Sequence, residues 1–415
     1  MVARLDPAIS GLTFGDHVNT RLPGLRIAHL IETNGPGGAE RMLVQLVTEL
    51  QAAGCHNTVI APAGGEGWLQ QQLTDAGVRV EPFQLENPVS LKFARQLTAL
   101  LRRHRIALAH SHEFTMAVYG AWAAWRAGIP HVTTMHGGRY YAQRLRRRVA
   151  LRAAFALTGR VVAVSRDLAR HLCRDLWLPR SRITTVGNGV RPDAAQPSSL
   201  RAELGLGPED RLVLAVGNLY PVKGHRHAIE ALALLHRDRG AERLHCAIAG
   251  RGGLADALRA QAAQLGVADR LHLLGLRSDI AAVLAAADVF ILPSLSEGLP
   301  VALLEAMFAG CAIVASDVGD VRAALDDGRA GVLVPAGDAR ALARAIEGLL
   351  EAPGRARELG TRARRRAREQ YDVTRMVARY VTIYQELLGG GPPAPAPEHS
   401  APPPAPPPHP YGMLT

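Results

Sequence analysis

The sequence predicts an α/β protein made of two doubly wound, Rossmann-like domains that face each other across a cleft. Short apolar runs alternate with helical patterns along the whole chain, which is typical of parallel sheets. A segment rich in Pro, Ser and Gly interrupts this alternation near the middle, and the alternation then starts again. The length of 415 residues also exceeds one ordinary domain. Ligands of such sheets bind beyond the carboxyl ends of the strands, so one ligand is expected between the two halves.

The strands are predicted from short apolar and β-branched runs. The first half contains seven of them, at residues 25–31, 57–61, 78–83, 107–110, 131–135, 161–164 and 183–186. The second half contains six, at residues 212–216, 244–249, 271–274, 289–292, 312–315 and 331–334. Helical patterns lie between the strands, for example at residues 39–53 and 91–104.

Domain boundaries follow from these runs and from composition. We predict an irregular N-terminus (residues 1–22), a first domain (23–195), a linker (196–210) and a second domain (211–370). The linker belongs to the Pro-, Ser- and Gly-rich segment. Residues 389–415 are so rich in Gly and Pro that they cannot form a packed core, so we expect an extended, disordered tail.

The composition favours a cytoplasmic protein with reduced cysteines. No apolar run reaches the roughly 18 residues needed to span a bilayer, and the first residues lack the pattern of a signal peptide. The cysteines are scattered through apolar stretches, without the spacing of a metal site or a disulfide framework. They are Cys55, Cys173, Cys246 and Cys311.

The formal net charge of +11 comes almost entirely from arginine, because Lys92 and Lys223 are the only lysines. Two basic runs stand out, at residues 144–152 and 362–368. Both are compatible with a solvated helix face, but the leucines and valine in the first run also suit a helix lying on an anionic membrane surface. No nucleic-acid motif accompanies the charge, so no nucleic-acid partner is expected.

A glycine-rich turn, TNGPGGAERML, begins at Thr33 and joins the first predicted strand to a helix. Backbone N–H groups at the start of a helix suit a phosphate, and glycine lets a ligand approach closely. The spacing matches neither the dinucleotide fingerprint nor a P-loop, so neither NAD nor ATP is favoured. An ordinary tight turn is the alternative.

A second turn, AVGNLYPVKGH, follows the first strand of the second half and carries Lys223. A cation at this position could meet a diphosphate. The lysine is conspicuous in a chain that otherwise uses arginine. The alternative is a solvated turn lysine.

Histidines stand at the ends of two predicted strands. The stretch AHSHEF contributes His110 and His112, and TTMHGG contributes His136. No Cys, Asp or Glu stands beside them at ligand spacing, so no metal site is expected. His136, between a strand and a Gly-Gly turn, is the best candidate for a residue that faces the cleft. A hydrogen-bonded wall residue is the alternative.

Two carboxylates flank a Gly-Leu-Pro turn in SLSEGLPVALLEAMFAG. A helix is predicted to begin near Pro300, with Glu305 about one and a half turns inside it and Glu297 on the preceding loop. Eight helical residues span about 12 Å, more than the roughly 5–9.5 Å of a hydrolytic carboxylate pair. Two separate carboxylates that accept hydrogen bonds from vicinal hydroxyls of a sugar and a ribose fit better. Helix-terminal acids are the alternative.

The motifs, in this order, resemble those of GT4-type retaining glycosyltransferases of GT-B fold. The resemblance covers about residues 25–388 and rests on GPGGAER, VGNLYPVKG, AGRG, LLGLRSDI, SEGLPVALLEAM and GVLVPAGD. The pair Glu297 and Glu305 is its most specific part. The resemblance also implies that residues 371–388 form a helix that crosses back to the first domain.

The resemblance implies transfer of a sugar from a UDP- or GDP-linked donor to a glycan or lipid-linked acceptor, with retention of anomeric configuration and without a metal or other cofactor. Polysaccharide, lipopolysaccharide or glycolipid synthesis at the inner face of a membrane would fit. Three residues are implied as catalytic: His136 at the donor sugar, Lys223 at the diphosphate and Glu297 at the sugar hydroxyls. The other implied donor-binding residues are Gly38, Asn218, Arg277, Gly298, Leu299, Pro300 and Glu305. Of these, Glu305 would hold the ribose diol, and Arg277 lies in the loop that would read the base.

One position departs from the family pattern. The family usually has arginine five positions before Lys223, where this chain has the neutral Asn218. The charge of the leaving diphosphate then rests on Lys223, on backbone amides or on an arginine from elsewhere. Two other functions stay open: a sugar-nucleotide epimerase of the same architecture, and an inactive nucleotide-sugar-binding protein, which Asn218 alone supports.

Overall fold

The computed structural model describes residues 22–64, 67–85, 87, 89–137, 140–191, 198–239 and 243–389. The predicted irregular N-terminus, except Leu22, and the predicted tail, except Gly389, lie outside the described residues, as do linker residues 196 and 197. Two parallel sheets are present, one in each half of the chain, as the alternation of strands and helices predicted.

The first half forms a seven-stranded sheet with helices on its faces. Its strands are β1 (Arg26–Leu30), β2 (His56–Pro62), β3 (Arg79–Phe83), β4 (Leu108–His112), β5 (His131–Met135), β6 (Arg160–Ala163) and β7 (Ile183–Thr185). Its helices are α1 (Gly38–Ala52), α2 (Trp68–Asp75), α3 (Leu91–Arg103), α4 (Glu113–Ala127), α5 (Leu145–Leu157) and α6 (Arg166–Leu176). The strands run parallel in the order β3-β2-β1-β4-β5-β6-β7.

The second half forms a six-stranded sheet of the same design. Its strands are β8 (Arg211–Val216), β9 (Leu244–Ala249), β10 (Leu271–Gly275), β11 (Val289–Leu292), β12 (Ile313–Ser316) and β13 (Val332–Val334). The helices of this part of the chain are α7 (Leu200–Glu203), α8 (His225–Arg239), α9 (Ala255–Gln264), α10 (Ile280–Ala285), α11 (Val301–Ala309), α12 (Val321–Ala324), α13 (Ala339–Leu350), α14 (Pro353–Gln370) and α15 (Val373–Leu388). The parallel strand order is β10-β9-β8-β11-β12-β13.

All thirteen predicted strands are present, with bounds within two residues of those expected. They were visible in the sequence because strands covered by helices on both faces read as continuous apolar runs. Every residue of β11 is buried, for example. Within the segment predicted as a linker, α7 was not expected. Its Leu200 is buried in the core of the second half, so this part of the linker belongs to that core.

Both sheets reverse their strand order at one point, between β1 and β4 in the first and between β8 and β11 in the second. A crevice opens at such a point beyond the carboxyl ends of the strands. The loops after β1 and β11 carry the glycine-rich turn and the Gly-Leu-Pro turn. The topology therefore brings the motifs of both halves to the space between the sheets.

Helix α15 returns from the second half to the first and packs on its sheet. Its apolar side chains join the core formed by β1 and α1, and Tyr380 and Tyr384 are fully buried there. The hydroxyl of Tyr384 lies 2.7 Å from Nδ1 of His110, and that of Tyr380 lies 3.1 Å from Oγ1 of Thr134. These contacts satisfy polar groups of β4 and β5 that would be costly to bury alone.

Candidate active site

An open cleft lies between the two halves of the chain. All ten residues singled out from the sequence line it: Gly38, His136, Asn218, Lys223, Arg277, Glu297, Gly298, Leu299, Pro300 and Glu305. The structure thus brings together residues that lie up to 267 positions apart in the chain.

Two helices begin at this cleft, one from each half. A Cβ atom added to Gly38, the first residue of α1, would lie 3.7 Å from Cγ2 of Val301, the first residue of α11. Neither helix is capped by the side chain of the residue before it. The first amides of a helix have no partner within the helix and attract anions. The two helix starts therefore make the floor of the cleft electropositive.

The two helix starts differ in how freely they can bind a ligand. In α1, the Glu40 carboxylate accepts hydrogen bonds from the amides of Gly37 and Glu40 and from Thr33, while burial raises its pKa. In α11, Pro300 stands before the first residue with φ −71° and Val301 and Ala302 line the cleft. The start of α11 is the better site for an anionic group, because α1 already carries its own carboxylate there.

Glu297 is held by its neighbours on the loop before α11. Its Oε1 accepts hydrogen bonds from Nζ of Lys223 at 2.8 Å and from Oγ of Ser294 at 2.7 Å. The Glu297 side chain is 9% exposed, and that of Lys223 is 27% exposed. The lysine thus balances a nearly buried carboxylate and still reaches the cleft, where both can meet a ligand.

The Gly-Leu-Pro turn is clamped by the first domain. A Cβ on Gly298 would stand 3.2 Å from the carbonyl oxygen of His136. Asn188 donates from Nδ2 to the carbonyl oxygen of Leu299 at 2.8 Å. The Asp320 carboxylate accepts hydrogen bonds from the amides of Arg166 and Asp167 at 2.7 and 3.1 Å. Gly298 and Leu299 therefore lie directly against the first domain.

His136 lies at the end of β5 and faces the cleft from the first domain. Its Nε2 is 3.1 Å from Nδ1 of His112, and its amide donates to Oε1 of Glu113 at 3.0 Å. Burial lowers the pKa of His136 to about 3, so the ring is neutral. Burial, and then the neighbouring Glu32, raise the pKa of Glu113 to about 8. The ring can therefore offer a hydrogen bond to a sugar without adding charge.

Among the described residues, the group that most resembles a metal site consists of three buried histidines behind His136. Ring nitrogens of His29, His110 and His112 lie within 4.8 Å of one another. Both ring nitrogens of His110 already contact hydroxyls, at 2.7 Å to Tyr384 and 2.8 Å to Thr134. A metal would have to break one of these contacts. The arrangement matches a hydrogen-bonded wall, the alternative considered for these residues.

Glu305 and Arg277, two further charged residues of the cleft, form ion pairs. Glu305 accepts a hydrogen bond from Arg41 of α1, across the domain boundary, at 3.1 Å. Arg277 is held by both oxygens of Asp279, at 2.8 and 2.6 Å, and by Glu203 at 2.8 Å. The side chain of Arg277 is therefore held by two carboxylates.

Sequence reasoning did not single out several of these residues. Arg41 stands inside the quoted motif GPGGAER, and Ser294 opens the stretch around Glu297, but neither was selected. Asn188 belongs to no motif. Of these, Arg41 could have been predicted, because it lies about one helical turn after Gly38 and therefore on the same face of α1.

Comparisons with known proteins agree with the fold. The glycosyl transferases group 1 model matches residues 198–366, and the glycosyltransferase family 4 model matches residues 36–194. An alpha-maltose-1-phosphate synthase of Mycolicibacterium smegmatis is 31% identical over 310 residues, 67% of this chain and 78% of that protein. A phosphatidyl-myo-inositol mannosyltransferase of Mycobacterium leprae is 30% identical over 367 residues, 86% and 95% of the two chains.

Solved structures show the same architecture. The Anabaena protein HepE in complex with UDP-glucose superimposes with a TM-score of 0.77 at 22% identity, covering 88% of this chain and 100% of that one. WaaG, a glycosyltransferase involved in lipopolysaccharide biosynthesis, gives 0.67 at 17% identity, with 88% and 100% covered.

Two facing α/β domains with a crossing helix define the GT-B class of glycosyltransferases, as the sequence predicted. The sequence matches then fix the family. The chain belongs to glycosyltransferase family 4.

Proposed function

We propose that this chain transfers a sugar from a UDP- or GDP-linked donor to a hydroxyl of a glycan or lipid-linked acceptor, with retention of anomeric configuration. The observation that carries the proposal is the convergence of the ten predicted residues on one cleft between the domains. A structural neighbour that contains UDP-glucose, HepE, supports a nucleotide sugar as donor. Polysaccharide, lipopolysaccharide or glycolipid synthesis is the proposed setting.

The proposed donor pose follows from charge. The diphosphate lies at the start of α11, beside Lys223, where amides and an ammonium group offset its negative charge. Glu297 accepts hydrogen bonds from the sugar hydroxyls, and Glu305 accepts them from the ribose diol. His136 reaches the sugar from the first domain as a neutral hydrogen-bonding group.

In the proposed reaction, the bond between the anomeric carbon and the phosphate oxygen breaks as the acceptor oxygen attacks on the same face of the sugar. The acceptor's proton passes to the leaving phosphate oxygen. Lys223 and the α11 amides stabilise the charge that develops on the diphosphate. Closure of the two domains around the donor would exclude water and so protect the activated sugar from hydrolysis.

We also propose that the transfer needs no metal ion, because Lys223 and the helix amides already provide positive charge where a metal would sit. Dialysis against EDTA is then expected to leave the transfer rate within about twofold of the untreated protein. A loss that added Mg²⁺ or Mn²⁺ restores would contradict this part of the proposal.

We further propose that α5 contacts an anionic membrane surface where a lipid-linked acceptor would lie. In the described residues, no helix combines the length and the apolar character needed to cross a bilayer. On α5, Leu145 is 66% exposed and Val149 is 59% exposed, next to Arg146. Exposed apolar side chains beside arginines are the pattern of an interfacial helix.

A panel of nucleotide sugars in a thermal-shift assay tests the donor proposal. The true donor is expected to raise the melting temperature, since it binds the folded chain alone. The selected donor is then incubated with and without acceptor hydroxyls. Turnover of the donor into its epimer without any acceptor would show the epimerase instead, and no stabilisation by any nucleotide sugar would contradict the proposal.

A further inference from the structure

We propose that Arg41 is a donor-binding residue that leaves Glu305 when the donor enters and binds the diphosphate from the first domain. This inference rests on the proposed function and adds a residue to its site. It also answers how the cleft compensates for the neutral Asn218, since the second cation would come from the opposite domain.

Arg41 is placed to reach both Glu305 and the proposed position of the diphosphate. Its amide donates to the carbonyl oxygen of Gly37 at 3.0 Å, so it closes the first turn of α1. Side chains of a helix lean toward its N-terminus. The Arg41 side chain therefore lies over the turn that meets the start of α11, and it lines the cleft together with Gly38 and Val301.

Three lysine or arginine side chains belong to the described lining of the cleft: Arg41, Lys223 and Arg277. Arg277 is unable to move without losing the two carboxylates that hold it, Asp279 and Glu203. Lys223 already balances Glu297. Arg41 contacts Glu305 with one nitrogen, its guanidinium lies 6.0 Å from the ring centroid of Trp68, and its side chain is 24% exposed. It is the cation of the three that can change partners at the lowest cost.

Donor binding would cause Arg41 to exchange Glu305 for the diphosphate. The carboxylate that Arg41 contacts is Glu305, and the proposed role of Glu305 is to accept hydrogen bonds from the ribose diol. The diol and the guanidinium compete for Oε1, the atom in the 3.1 Å contact. A diphosphate at the start of α11 offers the released guanidinium a bidentate partner within one helical turn.

The exchange would also couple donor binding to the domain arrangement. Before binding, the Arg41–Glu305 pair links α1 to α11. Afterwards, the link between the domains runs through the diphosphate. Donor binding and domain closure would then strengthen each other, because each stabilises the same arrangement.

Calorimetric titration of diphosphates and nucleosides separates the two roles of Arg41. The unmodified chain is titrated with UDP, GDP and ADP, and the tightest of these is then compared with its nucleoside. For Arg41→Gln, we expect the diphosphate affinity to fall by about tenfold or more. The nucleoside affinity should stay equal or rise, because Glu305 loses its competitor.

Two further variants complete the test. Arg103→Gln removes an exposed arginine of α3, outside the cleft, and should leave both affinities unchanged. Adding Asn218→Arg to Arg41→Gln should restore most of the lost diphosphate affinity, because it returns a cation to the same site. A double variant as weak as Arg41→Gln would contradict the diphosphate role, provided that both variants melt like the unmodified chain.

The remaining outcomes overturn the inference in distinguishable ways. Equal changes for diphosphate and nucleoside in Arg41→Gln would show that Arg41 acts only through Glu305. An unchanged diphosphate affinity would show that it plays no part in donor binding. If the unmodified chain binds none of the three diphosphates, the donor assignment itself fails, and the inference fails with it.

Discussion

Glu297 illustrates how the cleft is built at the scale of single residues. The carboxylate is nearly buried, and Lys223 and Ser294 share its Oε1. A buried charge persists when a partner of opposite sign and hydrogen bonds compensate for the lost water. Lys223 pairs with Glu297, and in the proposed donor pose it also contacts the diphosphate.

Replacing Lys223 by Ala is expected to lower kcat/KM for transfer by about 100-fold to 1000-fold, the range for loss of one preorganised electrostatic group. Initial rates with the identified donor measure the effect. The matched control is Lys92→Ala, which removes the only other lysine from the exposed face of α3. If the two variants transfer sugar equally well, Lys223 has been assigned wrongly.

At this scale, the sequence allowed the cleft to be predicted but not its ion pairs. Residues next to turns, such as Gly298 and Lys223, were recognisable because turns at strand ends carry sites in parallel sheets. The partner of Glu305 was not, because Arg41 lies 264 positions away and meets it only after both domains have folded. The histidines were predicted only in part. Their position at strand ends could be read from the sequence, but the contacts of His110 with Tyr384 and Thr134 could not.

The two basic runs lie on helices whose exposed surfaces differ. In α14, Arg366 donates to the carbonyl oxygens of Ala323 and Ala324, and Arg362 pairs with Glu358 of its own helix. That run is therefore a packed and solvated face. In α5, Arg148 lies over the ring of Trp177, at 4.8 Å from its centroid. The exposed apolar side chains of this surface remain uncovered within the described residues.

We expect α5 to carry the membrane contact. Binding to vesicles that contain anionic phosphatidylglycerol should exceed binding to neutral phosphatidylcholine vesicles, and it should weaken as salt is raised. Replacing Leu145 and Val149 by Ser should reduce binding several-fold in a sedimentation assay.

The control for α5 exchanges two arginines of the other basic run, Arg365→Gln and Arg368→Gln in α14. These substitutions remove two positive charges from exposed positions outside α5, and vesicle binding is expected to stay close to that of the unmodified chain. A loss of binding as large as that caused by the Leu145 and Val149 substitutions would contradict a specific role of α5.

Element boundaries were the most predictable feature, and connections between elements the least. Doubly covered strands such as β11 are apolar throughout, so their positions were clear. Helix α7 was not predicted, because four residues next to a Pro- and Ser-rich segment show no periodicity. The return of α15 to the first sheet was implied by resemblance alone, since its apolar stripe does not say which sheet it covers.

At the scale of the whole molecule, several neutral histidines are buried in the first domain. Burial lowers the pKa of His29 to about 4 and that of His131 to about 3, and it also lowers the pKa of His110 and His112. In the unfolded chain these groups titrate near 6.5. Below that pH the unfolded chain binds more protons than the folded one, so acid favours unfolding.

The melting temperature is therefore expected to fall steeply between pH 7 and pH 5. Each buried histidine adds a slope of about 1.4 kcal/mol per pH unit to the free energy of unfolding below pH 6.5. Three carboxyl groups act in the opposite direction, because the folded chain binds their protons more tightly: Glu113, with a pKa raised to about 8, and Glu40 and Asp320, whose pKa values burial also raises. They are fewer than the four histidines and His136, so the net sign stays with the histidines.

Scanning calorimetry at several pH values measures this dependence. His29→Asn should make the fall shallower, whereas His56→Asn, at an exposed position of β2, should leave it unchanged. A melting temperature that stays constant from pH 7 to pH 5 would show that these histidines are not buried in the neutral form.

We propose that the cleft between the two domains transfers a sugar with retention. An NMR time course with the identified donor and a hydroxyl acceptor tests this stereochemistry, because the anomeric proton of the first product reports its configuration before any equilibration. We predict that the product carries the same anomeric configuration as the donor. A first product of inverted configuration would contradict the mechanism proposed for Lys223, Glu297 and the leaving phosphate.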